Sequence, residues 1–217
     1  MRPVETTSTG GVRATSEGSR IACIGLRAKT ARAIAVVISG TVRSPHAVTR
    51  AQLVLGTPDT PALFQPYHEV MDLPWDRATM AVAKAERAIE AVAIERLRSL
   101  LLDVRARKLD VVSVAIVGAP DRNPGAIGSP HIRAHAAEGV LFRRVWQVAA
   151  DAVRVRSTAF PEKGFEALAA ARLGLPVGAV RERLAEFGHA MGRPWRADEK
   201  AAAMAAWIGL GATRRVG

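Results

Sequence analysis

The sequence predicts one α/β domain, and three observations predict it. Five short apolar runs rich in β-branched residues are separated by turn residues or by helical stretches. The long polar-faced segments repeat their apolar residues every three or four positions. The order of these segments is β-β-β-α-β-α-β-α(α), with no internal repeat. The 217 residues suit one domain with a tail, and 49% of them are hydrophobic, ample for a packed core.

The elements follow in chain order. Residues 1–19 are rich in Thr, Ser and Gly without periodicity and are expected to form a disordered arm. Arg20–Leu26 (RIACIGL) is a buried strand candidate, LRAKTAR (26–32) a polar turn, and Ala33–Ser39 a second strand. Val48–Leu55 is a third. Such short spacings imply an antiparallel meander. Pro58, Pro61, Pro66 and Pro74 make 56–75 a loop, long enough to suggest a role. It gathers Phe64, Tyr67, His68, Glu69, Asp72 and Trp75, which suit a hydrophobic lid, a partner contact or a platform for unpaired bases.

A helix is expected over 76–108, capped by Asp76, with Ile89, Val92, Ala93, Leu97, Leu100, Leu101 and Val104 on its apolar stripe. Asp110–Val117 reads as a central strand buried on both faces. Gly118–Pro130 is a Gly/Pro loop, followed by a helix over 130–149. Asp151–Thr158 is a fifth, edge-like strand. Helices over 162–173, 176–191 and 197–209 complete a domain spanning 20–211, and 212–217 is expected to fray.

Composition excludes several classes. One cysteine, Cys23, forbids an intrachain disulfide and a multi-cysteine zinc site, and reads as a buried thiol. There is no run long enough for a transmembrane helix, no visible signal peptide and no G-x-S-x-G elbow, so a cytoplasmic protein that is not a triad hydrolase is expected. The formal net charge is +11, and only five of the 31 basic residues are lysine. An arginine excess suits phosphate contact, and a GC-rich coding sequence would produce the same excess.

The order of elements, with IGLRAKTARAIAVV (24–37), VVSVAIV (111–117), AAEGVLFRRVWQVAADAVRV (136–155) and DEKAAAMAAW (198–207), resembles the ribonuclease-H-like fold, and within it the RuvC-type Holliday-junction resolvases. The resemblance implies a five-stranded mixed sheet, its first three strands antiparallel, flanked by helices. It also implies DNA or RNA as partner, a homodimer, and two Mg or Mn ions held by carboxylates. The sequence departs from that pattern. The expected first-strand acid falls at Arg27, the fourth-strand acid near Val117, and the last-helix pair at Asp198 and Ala201.

Three readings follow. In the first, the metal site has decayed, no cofactor is needed, and nucleic acid is bound through Arg27, Lys29, Arg32, Arg133, Arg143 and Arg144. In the second, an active Mg/Mn-dependent nuclease uses Asp198, Glu138 and Asp121 in an altered arrangement; Asp121 could equally belong to its turn, and Asp198 could cap its helix. In the third, the chain is a protein-binding scaffold. Separately, His131, His135 and Glu138 fall at i, i+4 and i+7, a spacing that could hold a metal or simply form a polar helix start.

Overall fold

A computed structural model describes residues 21–211. The expected arm (1–19) and tail (212–217) lie outside the described residues. Strands β1 (Ile21–Lys29), β2 (Arg32–Gly40) and β3 (Pro45–Val54) form the antiparallel meander, and β4 (Asp110–Gly118) and β5 (Ser157–Pro161) add to it in parallel. The strand order is β3-β2-β1-β4-β5, the five-stranded mixed sheet that was expected.

Two expectations change at the strand ends. LRAKTAR is no turn: Lys29 pairs with Arg32, so only Thr30 and Ala31 turn the chain. Ala31 takes a left-handed φ of 55°, which helps the chain reverse within two residues. Arg27, Lys29 and Arg32 are therefore strand residues with fixed directions. At the other edge, β5 begins at Ser157 instead of Asp151. The preceding helix continues to Ala152 and closes through a left-handed Arg154, with Val155 N–H donating to the Ala150 carbonyl, so the Val-Arg-Val stretch is a connection.

The helices are α1 (Pro61–Phe64), α2 (Trp75–Ala106), α3 (Pro130–Ala152), α4 (Phe165–Leu173), α5 (Val177–Met191) and α6 (Ala197–Gly211). Pro74, not Asp76, stands at the N-cap of α2, and Asp76 lies in its first turn. Asp198 does not cap α6 either: Glu199 reaches back to accept from the Arg196 backbone N–H at 2.8 Å. The 56–75 segment contains α1 and packs down through Tyr67, whose ring stacks on Trp75 and whose hydroxyl donates to Glu86 at 2.9 Å. No helix among the described residues is long and apolar enough to cross a membrane.

Successive strand residues face opposite sides, which gives the sheet two cores. Ala22, Ile24, Leu26 and Ala28 of β1 face α2 and α3, where Phe142 and Trp146 are buried. Cys23 belongs to the α4–α6 side, as do Val36, Ile38 and Val117. On that side Gly25 is required: a Cβ there would lie 1.8 Å from the Ala202 carbonyl oxygen of α6. The small residues of α6 answer this glycine, so the helix lies almost directly on β1.

Candidate functional site

The α6 side of β1 carries Arg27, two residues beyond Gly25. Its Cα partner on β4 is Val117. The residue is only 4% exposed, yet its guanidinium is fully answered. Nε lies 3.4 Å from Asp198 Oδ1, Nη2 pairs with Glu162, and Nη1 donates to the Ala28 carbonyl at 3.0 Å and the Val117 carbonyl at 3.5 Å. Lys29 Nζ adds a second positive charge 3.7 Å from Asp198. The ends of β1 and β4 and the start of α6 thus converge on a buried arginine.

The three carboxylates of the nuclease reading keep separate company. Asp198 belongs to Arg27 and Lys29, exposed Asp121 pairs with Arg143 at 3.0 Å, and buried Glu138 accepts from His68 on the opposite side of the sheet. The candidate phosphate contacts also differ in what their charge already does. Arg133 donates to the carbonyls of Met71, Leu73 and Ile127 and so fastens the 56–75 segment to α3. Arg143 is largely covered and lies along Gly118. Arg144 pairs with Glu86 and Glu90 of α2. Half-buried Lys29 and Arg32 stand across the β1–β2 hairpin from each other, and none of the ion pairs among the described residues involves Arg32.

On the α3 side three imidazoles meet. His131 and His135 stand one turn apart on α3, as their spacing implies, and His68 comes to them from the 56–75 segment. One potential ligand nitrogen from each lies within 4.8 Å of the other two. The ring centroids are 4.4–5.4 Å apart, with the planes near perpendicular. Glu138 is not the third member expected from the i, i+4, i+7 pattern. It is 2% exposed and turns inward, accepting from the His68 backbone N–H at 3.2 Å and bonding His68 Nδ1 at 2.8 Å. Burial pushes its carboxyl above the usual range, while the bonds from His68 pull it back down. Partial desolvation inside the cluster and the two neighbouring imidazoles hold His135 below the ordinary histidine value, although its side chain stays exposed. Sequence spacing could not reveal His68, because no periodicity ties a loop residue to a helix more than 60 residues later.

Cys23 is the buried thiol expected. It lies 3.1 Å from Ser113 Oγ, and burial pushes it up to about 11, leaving it protonated and unreactive at neutral pH.

No protein-family model matches the sequence, and no curated protein matches it. Among solved structures, Thermus thermophilus RuvC is similar over 89% of this chain and 96% of that one, at 12% identity and a TM-score of 0.50. T. thermophilus RuvC in complex with Holliday junction substrate is similar over 90% and 96%, at 15% identity and a TM-score of 0.49. The fold is the ribonuclease-H-like fold of RuvC. At such identities the likeness concerns the fold alone. Where the sequence resemblance would place carboxylate-held cations, the residues are poor ligands for them. Divalent cations need several anionic oxygens. Here the centre is a guanidinium, Val117 is apolar, and Asp198 is already neutralised.

Proposed function

We propose that this chain binds nucleic acid through phosphate contacts at the β1–β2 hairpin, and that it does not cleave by carboxylate-held cations. The observation that carries the reading is Arg27: a buried arginine, held by Asp198 and Glu162, stands where the sequence resemblance puts an acid. A site that would repel phosphate without its cations becomes one that tolerates phosphate directly. Lys29 and Arg32 flank it on the hairpin, and the net charge of +11 favours a polyanionic partner over the whole surface. Contacts of this kind position a backbone and read little sequence. A single buried cysteine is in keeping with work in the reducing cytoplasm.

The test is binding of a four-way junction, a linear duplex and single strands, followed by fluorescence anisotropy at two salt concentrations. Each is run with and without magnesium and manganese, and the product lengths are checked afterwards. The expected result is binding that weakens steeply as salt rises, falls at least about 10-fold in the Lys29→Glu/Arg32→Glu variant, and leaves the DNA intact. Cation-dependent cleavage abolished by Asp198→Asn would overturn the non-cleaving half. Absence of binding at low salt would overturn the other half and leave the scaffold reading.

A further inference from the structure

We infer that His68, His131 and His135 form a binding site for one divalent transition-metal ion of the zinc class, with Glu138 as the positioning residue for His68. The site is separate from Arg27 and Asp198, and it does not depend on nucleic-acid binding.

Three observations carry it. First, three of the five histidines in the whole sequence converge here from two distant segments. Borderline-soft divalent ions prefer imidazole nitrogen, whereas magnesium prefers oxygen. Second, the nitrogens are nearly in place. Around a tetrahedral ion with bonds of about 2.0–2.1 Å they would stand about 3.3 Å apart. Rotamer adjustments of two exposed side chains close that gap from 4.8 Å.

Third, His68 is prepared as a ligand. Its Nδ1 is committed to the Glu138 carboxylate at 2.8 Å, which fixes the ring and leaves Nε2 as the ligand atom. That Nε2 is buried and has no hydrogen-bond partner. A buried polar atom left unpaired is destabilising, and a metal bond would remove that cost. The Glu138 carboxylate supplies the compensating negative charge.

Three imidazoles leave a fourth position, and the exposure of His131 and His135 opens that position to solvent. The ion would also bind the 56–75 segment to α3, reinforcing the clasp made by Arg133.

The experiment uses untagged full-length protein stripped with a chelator and dialysed. Zinc chloride is titrated by calorimetry, and cobalt(II) by visible absorption. The expected result is one ion per chain at micromolar affinity or better, with a cobalt spectrum of four or five ligands. Magnesium alone should give no such saturation. His131→Ala/His135→Ala should abolish binding while circular dichroism shows the fold retained, because both side chains are exposed. His46→Ala/His189→Ala should bind as the parent does. Glu138→Gln should weaken binding about 10- to 100-fold, the usual effect of losing an outer carboxylate. Absence of stoichiometric zinc at about 100 μM free ion (far above the expected Kd) would overturn the inference. Unchanged binding in the folded double-histidine variant would do the same.

Discussion

Two polar clusters sit at one end of the sheet, on opposite faces, and they are built in opposite ways. β1 and its parallel neighbour β4 end together, with Arg27 beside Val117. On the α6 face, every charge there is answered: Arg27 by Asp198, Glu162 and two carbonyls, and Asp198 also by Lys29. On the other face α3 runs back from the strand ends, with Gly139 against Ala119 and Arg143 against Gly118, so its first turns reach past the sheet. There the polar atoms are left over: His68 Nε2 and Glu138 Oε2 are buried without partners. A buried charge with its full set of partners is a structural element that also sets local potential. A buried donor or acceptor without one is a position that a ligand can satisfy.

The largest expected effect tests whether the two faces are separable. Gly25→Ala should cost about 3 kcal/mol or more, since the new methyl meets α6 backbone and not a flexible side chain. Urea unfolding measures this. The α6 face should be displaced, with DNA binding weakened. In conditions where the variant stays folded, zinc binding on the α3 face should persist. Loss of both functions in folded protein would mean that the clusters are one coupled site.

Next in size is Arg27→Asp, which puts an acid at the end of β1 where the sequence resemblance expects one. It places a third carboxylate beside Asp198 and Glu162 in a covered position, and should destabilise by about 3 kcal/mol. Magnesium and manganese should not recover the loss, because Val117 and Ala201 offer no ligand. If either ion restored the parental urea midpoint, the α6 face would be able to hold a cation once an acid stands at position 27.

The contrast also explains what could be read from the sequence. Apolar periodicity located β1 to β4 and every long helix, because burial is written into consecutive residues. Boundaries failed where a backbone detail decided them: the left-handed Ala31 made a strand of LRAKTAR, and the left-handed Arg154 delayed β5 to Ser157. The meeting of Arg27 with Asp198 was legible only through the resemblance, since the two are 171 positions apart in sequence and now 3.4 Å apart in space. His131 and His135 were legible from helical spacing, and Glu138 looked like their partner for the same reason. It proved to be the partner of His68, whose position no local pattern encodes.

The smallest effect concerns that carboxylate and carries a definite sign. Burial raises Glu138 in the folded state, so the folded chain holds its proton to higher pH than the unfolded chain does. Below the unfolded value both states are protonated, and the stabilising contribution is fully present. As pH rises through the folded value that contribution is lost, because a carboxylate must then be carried inside. Glu138→Gln keeps an acceptor for His68 and removes the ionisation. The stability of the variant minus that of the parent should therefore rise with pH from about 4.5 upward. Taking the difference cancels carboxylates common to both proteins, such as Glu166, which Arg181 holds low and which contributes the opposite slope. A flat difference between pH 4 and 8 would show that Glu138 ionises as freely inside as outside. Repeating the series with zinc present sharpens the result: a cation on His68 favours the carboxylate, so the pH-dependent rise should shrink in metal-loaded protein.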